Sequence, residues 1–431
     1  MFRTAILAAL LAAAPMAGHG EDLLQAYRQA RAADPVLSAA DAARRVVREG
    51  VAQARAPLLP QASAGAVFDQ ADVAGSATGQ NRSRGVSASL NQVIVDVSKL
   101  AQLGAARAQA DSQDATYRAA EQALFVRVAS AYFDVLTATD ALANVQANED
   151  AFRQQVEQAD QRYRNGLSAA VDVEQARAYH ASARSNTIAA RKALADAREA
   201  LAEITAAAPG TLLSLREALP MDPPVPADPQ AWVDAALANN PLLLAQRATI
   251  AAAEKNIAAA RAGHLPSLSA GVGVGRSAAW PVAASSSDGR TVTTLGLVLS
   301  VPLFSGGATE SLQRQAVAQR DGARDELETR RRRITRDVLD RYRSVVAGIG
   351  QTEATHTAVD AARKALASTR VGQGLGTQSM TDLLLAIQTL ASTQSAYSVA
   401  RHQFILSRLL LQQAAGAVDE ADLAAINALL Q

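Results

Sequence analysis

The residues that most often carry chemistry in proteins are few in this chain, and their spacing does not bring them together. There is no cysteine, and the five histidines are scattered along 431 residues without the spacing of metal ligands. Neither a Gly-x-Ser-x-Gly nor a Gly-x-x-x-x-Gly-Lys motif occurs, so the sequence lacks two common nucleophile and phosphate turns. We therefore predict that the protein is not an enzyme and has no catalytic residues, cofactor or metal.

Two glycine patterns could be mistaken for nucleotide-binding loops. The glycines at positions 271, 273 and 275 alternate with larger residues, which is typical of packing or lumen-facing positions within a strand. Those at positions 372, 374 and 376 lie between two predicted helices with no strand before them. A dinucleotide-binding turn needs a strand, a turn and a helix in that order, so we predict no nucleotide site.

The charge pattern predicts no nucleic-acid partner. The formal net charge is only +1. The basic run Arg330–Arg333 is flanked by Asp325, Glu326, Glu328 and Asp337, which is typical of a solvated helix face.

A stretch without proline, from Ser98 to Arg164, predicts one very long helix of about 100 Å, at about 1.5 Å per residue. Its apolar or small positions recur at steps of four and three with one break at Glu149, a 3.5-residue period that indicates a left-handed coiled coil. So many alanines in this seam predict close-packed partner helices. The seam consists of Leu124, Val128, Ala131, Val135, Ala138, Leu142, Val145, Phe152, Val156, Ala159 and Tyr163.

The chain is a tandem duplication. Pro35 and Pro60 recur as Pro241 and Pro266 at one offset, and Tyr132 and Gly166 recur at another as Tyr342 and Gly376. The first repeat is predicted at 21–219, with a short helix at 22–55, a β-hairpin at 61–96 and a helical hairpin at 98–204. A proline-rich linker follows at 220–229. The second repeat spans 230–415, with a short helix at 231–262, a β-hairpin at 266–304 and a helical hairpin at 308–413, before a C-terminal segment at 416–431.

Each β-hairpin alternates apolar with small or polar residues. In the first, Val86, Ala88 and Leu90 alternate with serines and Asn91, and the second repeats the pattern from Leu295 onward. Strands of this kind occur in outer-membrane barrels, but a soluble hairpin with one buried face fits the pattern equally well. In lipid, an open four-stranded sheet would leave backbone groups unpaired, so at least two chains would have to share one barrel.

The N-terminus predicts export. Residues 1–20 combine a basic start, a short apolar run and small residues, which is typical of a cleaved signal peptide. The run is too short to span a bilayer as a helix.

Taken in order, these features resemble the TolC family of outer-membrane export ducts over the whole mature chain. The resemblance is carried by Leu24–Tyr27, Asp34-Pro35, Arg55–Gln61, Ala131–Leu136, Arg162–Leu167, Asp172-Val173, His264–Pro266 and Val301–Gly307. It implies a membrane β-barrel continued by a long α-helical coiled-coil barrel, with four strands and paired long helices per chain. Three identical chains would build twelve strands in outer-membrane lipid and twelve helices across the periplasm.

The same resemblance implies partners. The inner end of the tunnel would dock a periplasmic adaptor (membrane fusion) protein, which connects it to an inner-membrane RND or ABC transporter. The predicted function is thus a passive exit duct for efflux or type I secretion in a Gram-negative outer membrane. The alternative is a soluble periplasmic coiled-coil adaptor or scaffold. The sequence does not indicate the cargo.

The resemblance also assigns a channel entrance at the helix turns. Asp382 matches an aspartate of a ring that narrows the tunnel, and Asp172 matches an aspartate that links neighbouring hairpins. Leu385 stands where a second ring aspartate is often found, Gln378 replaces a linking arginine and Gln373 replaces a tyrosine. We predict weaker cation selectivity and a looser resting state than in double-aspartate members. Alternatively, both aspartates only stabilise helix N-termini.

The exposed turn residues are candidates for adaptor contact. They are Gly166, Leu167, Ser168, Gly376 and Thr377. Ordinary turn chemistry would also explain the glycines.

Overall fold

The computed structural model describes residues 21–72, 80–280 and 289–431. The predicted signal peptide and the central parts of the two predicted strand turns lie outside the described residues. The helices are α1 Leu23–Ala33, α2 Pro35–Arg55, α3 Val97–Arg164, α4 Ala170–Thr205, α5 Pro229–Asn239, α6 Pro241–Arg261, α7 Ala308–Gly374, α8 Met380–Ala414 and α9 Glu420–Asn427. The strands are β1 Gln61–Asp72, β2 Gln80–Val95, β3 Ser267–Trp280 and β4 Thr291–Ser300.

The short helices predicted at 22–55 and 231–262 are each two helices, which corrects the prediction. Asp34 and Asn240 adopt extended backbone angles immediately before a proline, because the proline ring excludes the helical conformation there. Each side chain then caps the following helix: the Leu37 N–H donates to Asp34, and the Leu242 N–H donates to Asn240. The two repeats therefore share not only this proline but also a side-chain cap on the helix that follows it.

The long helices α3 and α7 have 68 and 67 residues, about 100 Å each. They return through α4 and α8, and α3 also packs against α8. The predicted seam on α3 is buried at Leu124, Val128, Ala131, Val135, Phe152 and Ala159, and Tyr163 near the turn is exposed. Among the residues the structure describes, no helix combines the length and apolar composition needed to cross a bilayer.

The four strands form one antiparallel sheet in the order β1-β2-β3-β4. The register places Leu90 opposite Val272 and Val272 opposite Leu295, so apolar residues of three strands share one face. We call this the apolar face; Leu297 and Leu299 continue it and are 73% and 66% exposed. The other face, the small-residue face, carries the row Ser63, Ser89, Gly273 and Thr294.

The main apolar core lies midway along the long helices. It joins α1, α3, α5, α7, α8 and α9 around Leu124, Tyr132 and Phe404. The Tyr132 hydroxyl lies 3.0 Å from the carbonyl oxygens of Glu21 and Leu213 and donates to one of them at a time. Bridges between Glu21 and Leu212 and between Leu215 and Leu430 tie the start of the described chain, the segment that follows α4 and the C-terminus together.

Candidate functional site: the helix-hairpin tips

The two helix turns are built alike and lie at the end of the molecule opposite the sheet. At the first, Gly166 has φ +68°, and the Leu167 N–H donates to the Arg162 carbonyl over 2.8 Å. At the second, Gly376 has φ +77°, and the Thr377 N–H donates to the Gly372 carbonyl, also over 2.8 Å. Glycine adopts this left-handed conformation without steric cost, which lets the chain leave one helix and enter the next.

A separate apolar core fixes the tips to each other. It takes residues from all four long helices, α3, α4, α7 and α8. Because Leu383 and Leu384 of α8 are buried in this core, Asp382 and Leu385 point away from it. The core consists of Phe152, Ala159, Val173, Ala176, Ala183, Leu366, Met380, Leu383, Leu384 and Ile387.

Asp382 belongs to a capping box at the start of α8. Its backbone N–H donates to Ser379 Oγ over 3.1 Å, and its carboxylate accepts from the Ser379 hydroxyl and N–H over 2.7 and 3.0 Å. The hydrogen bond from the Ser379 hydroxyl, followed by that from its backbone N–H, lowers the pKa of the Asp382 carboxyl below its usual 3.8. Asp382 is therefore an exposed, ionised carboxylate at neutral pH.

Asp172 is also held within its own turn. The Ser168 hydroxyl donates to Asp172 Oδ2 over 2.5 Å in the first turn of α4. In this chain the described partner of Asp172 is thus Ser168 and not a residue of the other hairpin. The linking role of Asp172 remains a prediction.

The three positions at which this chain departs from the family pattern have different surroundings. Leu385 is 55% exposed one turn after Asp382 on α8, which places an apolar side chain beside an ionised one. Gln378 is exposed and packs across Gly372, where an added Cβ would come within 2.6 Å of Gln378 Cγ. Gln373 is half-buried at the end of α7.

One contact that the sequence did not reveal joins the two hairpins. Thr381 Oγ1 at the start of α8 donates to Gln175 Oε1 on α4 over 2.9 Å. Thr381 precedes Asp382 and Gln175 lies one turn after Asp172, but a threonine and a glutamine near the start of a helix carry no distinctive sequence signal. Within the described ranges, no group of three or more metal-ligating side chains is assembled.

A sheet with an exposed apolar face and a pair of long helical hairpins define a class of protein: a membrane duct continued by a helical shaft. The family model "Outer membrane efflux protein" matches residues 26–207 and 232–417. The chain belongs to that family, and the predicted resemblance is confirmed.

Individual proteins support this assignment. The chain is 34% identical to outer membrane protein TolC of Escherichia coli (strain K12), over 94% of this chain and 84% of that one. It is 30% identical to the alkaline protease secretion protein AprF of Pseudomonas aeruginosa, over 79% and 71% of the two chains. The crystal structure of the Campylobacter jejuni CmeC outer membrane channel superposes with a TM-score of 0.80 at 15% identity, over 95% and 90%.

These matches confirm the predicted TolC-like fold, the location in the outer membrane, and the function as an exit duct for efflux or type I secretion. The alternative of a soluble periplasmic scaffold does not fit them. Proteins of this family are transport channels.

Proposed function

We propose that three copies of this chain close into one duct, with twelve strands in the outer membrane and twelve long helices across the periplasm. The observation that carries this proposal is the strand order β1-β2-β3-β4, which leaves β1 and β4 as open edges of a sheet with an exposed apolar face. An open edge in lipid would leave backbone N–H and C=O groups unpaired, at a cost of several kcal/mol each. Pairing β1 of one copy with β4 of the next removes both edges.

Cysteine cross-linking tests this pairing, since the chain has no cysteine of its own. Ser63 of β1 would be changed to cysteine together with Thr294, Gly296 or Val298 of β4, all on the small-residue face. Oxidation of the assembled protein in membranes should give covalent trimers for at least one pair. A matched pair, Ser63→Cys with Ser89→Cys on the neighbouring strand of the same chain, should give none. Monomers from every β1–β4 pair would contradict the proposal.

The helix tips form the inner entrance of this duct. The exposed carboxylate of Asp382, one from each chain, attracts cations, and Leu385 narrows the passage beside it. Asp172, Gln373 and Gln378 shape the surrounding turns. The ring bears one carboxylate per chain, which supports the weaker cation selectivity predicted above.

The exposed turns are the docking surface for a periplasmic adaptor that leads to an RND or ABC transporter. Leu167 is 68% exposed beside Gly166 and Ser168, and Leu375 is 76% exposed beside Gly376 and Thr377. Apolar side chains this exposed at a turn are suited to contact with another helical hairpin. The duct itself is passive and carries no catalysis.

A further inference from the structure

The helices of the two repeats correspond residue by residue. Pro35 at the start of α2 recurs as Pro241 at the start of α6, an offset of 206 residues. Tyr132 of α3 recurs as Tyr342 of α7, an offset of 210 residues. Each position on α2 therefore has a counterpart on α6, and each position on α3 has a counterpart on α7.

Ion pairs within each repeat follow these offsets. In the first repeat, a guanidinium nitrogen of Arg48 on α2 lies 2.8 Å from a carboxylate oxygen of Asp114 on α3. In the second, Glu254 on α6 and Arg324 on α7 are joined over 3.0 Å. The four residues are counterparts, with the signs of the two charges exchanged. The packing of one repeat is thus a template for the packing of the other, down to single side chains.

One contact of this template is made once within the chain. α3 packs against α2 of its own repeat and against α6 of the other repeat, whereas the long-helix neighbour of α7 from the α2–α6 pair is α6. The counterpart contact would join α7 to an α2, but the α2 of the same chain leads into β1, at the sheet edge opposite β4. Pairing β4 with β1 of a neighbouring copy would bring the α2 of that copy beside α7.

The face of α2 that this contact would cover is exposed. On α6, three alanines at heptad spacing are buried, and the middle one, Ala252, is 5% exposed. Its counterpart Val46 on α2 is 70% exposed. An apolar side chain this exposed, at a position buried in the other repeat, indicates a partner outside the chain. The counterparts are Ala245 and Ala39, Ala252 and Val46, and Ala259 and Gln53, and all three on α2 are exposed.

The contact between α3 and α6 provides the register. The Ser98 hydroxyl of α3 donates to the Ala259 carbonyl of α6 over 3.1 Å. Further along α3, the Lys255 side chain lies across Gly104, where an added Cβ would be 3.4 Å from Lys255 Cδ. Residue numbers rise on α3 as they fall on α6, so the two helices are antiparallel.

At the equivalent place between two copies, the residues carry opposite charges. Gly104 corresponds to Arg314 of α7, and Lys255 corresponds to Glu49 of α2. Both Arg314 and Glu49 are exposed, and neither forms an ion pair with another residue that the structure describes. Charges of opposite sign that face each other across an interface favour one register over its neighbours.

We propose that α2 and α7 of neighbouring copies pack together as α6 and α3 do within one chain, with Glu49 of one copy paired to Arg314 of the next. This contact rests on the trimeric duct proposed above and assigns its helix register. Val46 supplies apolar area to the contact, and the ion pair specifies the alignment. Each trimer contains three such contacts.

Disulfide cross-linking tests the register. Glu49→Cys with Arg314→Cys should give covalent trimers when the assembled protein is oxidised in membranes. Glu49→Cys with Asp321→Cys moves the second cysteine two turns, about 10 Å, along the same face of α7 and should give at least five-fold less trimer. Gly104→Cys with Lys255→Cys should close within one chain and give none.

Charge exchange tests the ion pair. Glu49→Arg alone places like charges together in all three contacts and should lower the temperature at which half of the purified trimer dissociates by roughly 2–6 °C. The double variant Glu49→Arg, Arg314→Glu exchanges the signs, as the ion pairs within the two repeats do, and should regain most of this loss. Glu49→Arg with Lys364→Glu balances the net charge at an exposed, distant position of α7 and should regain none.

The outcomes separate this contact from the duct itself. Covalent trimers from the β1–β4 cysteine pairs, with none from Glu49 and Arg314, would overturn the helix register and leave the duct intact. An absence of trimers from both sets would refute the duct as well. No recovery in the double charge variant would overturn the ion pair. If Glu49→Arg does not assemble, assembly of the double variant but not of the Lys364 control is the recovery expected.

Discussion

At the scale of single residues, Asp382 is both a helix cap and the exposed charge of the proposed entrance. The capping box alone explains an aspartate at this position, because the Asp382 carboxylate stabilises the start of α8 in a single chain. The exposed Leu385 beside it is not explained by capping, because an apolar side chain there gains nothing from solvent. We propose that this pair, a charge beside an exposed apolar side chain, lines the entrance of the duct.

Replacing Asp382 by asparagine should reduce the cation selectivity of the channel. The amide keeps a hydrogen-bond acceptor for Ser379 but removes one negative charge from each chain. Reversal potentials in planar bilayers under a salt gradient should shift toward zero. Leu385→Asp, which adds a charge one turn away, should shift them the other way. The matched control is Asp196→Asn, an exposed aspartate on α4 distant from the tips, and an equal shift there would remove Asp382 from the entrance.

His402 is a buried titratable residue remote from the tips. It lies 2.8 Å from Thr137 Oγ1 and beside the Phe133 ring. Burial lowers its pKa from 6.5 to about 4, against the opposing effect of Asp140. The folded chain thus holds a neutral imidazole in an apolar seam.

Stability should consequently fall as the pH drops from 6.5 towards 4. The unfolded histidine binds a proton in this window and the folded one does not, which disfavours folding by up to about 3 kcal/mol per chain. Above pH 6.5 this effect is absent. His402→Leu should flatten the dependence of the apparent melting temperature on pH between 4 and 6.5. The exposed His356→Leu is the control, and an unchanged slope in His402→Leu would contradict this assignment.

At the scale of elements, the positions where helices end fix how they pack. α8 ends at Ala414, and two residues later Gly416 has a φ of +76° and its carbonyl accepts from Gln122 Nε2 over 3.0 Å. A Cβ at this position would lie 2.8 Å from the backbone N and Cα of Asn240, where α5 meets α6. Close approach of two backbones therefore requires glycine here.

Gly416→Ala should destabilise the protein by roughly 2–4 kcal/mol, because it combines a strained left-handed residue with a backbone clash. Gly322→Ala in α7 is the matched control: nothing lies within 4 Å of its added Cβ, and the change should stabilise the helix by about 0.5–1 kcal/mol. Thermal unfolding of the two purified variants measures both. A Gly416→Ala protein as stable as wild type would show that this contact is dispensable.

At the scale of the whole molecule, function depends on surfaces that one chain cannot cover. The sheet has two open edges, and the tips expose Leu167 and Leu375 in spite of the apolar core beneath them. Neighbouring copies of the chain would cover the open sheet edges, and an adaptor would cover the exposed leucines at the tips. Both surfaces lie at ends of the molecule, about 100 Å apart along the long helices.

Photo-cross-linking in cells should separate a docking tip from a merely exposed one. A photoreactive residue at Leu167 or Leu375 should give a cross-linked product with a periplasmic adaptor. The control is Val225 in the linker, which is 85% exposed and should give no such product. Equal products from all three positions would indicate nonspecific collisions, and none from the tips would refute the docking surface.

Much of the fold follows from local rules that are visible in the sequence. The 3.5-residue period of α3, the alternation of the strands and the glycines of the turns each act over a few residues, so they predict helices, strands and turns directly. Pro35 by itself indicates a break in the helix at Asp34, so the prediction of one helix over 22–55 is wrong for a reason that is local. Because the chain is duplicated, the same order of helices and strands is predicted in both repeats.

The tertiary structure decided what depends on residues distant in the chain. The bond from Thr381 to Gln175 and the placement of Arg276 opposite Val86 both depend on how helices and strands are registered against each other. A shift of one residue in strand pairing would move Arg276 to the opposite face. The sequence determined which elements form because their periods are local, whereas which side chains meet depended on packing across the whole chain.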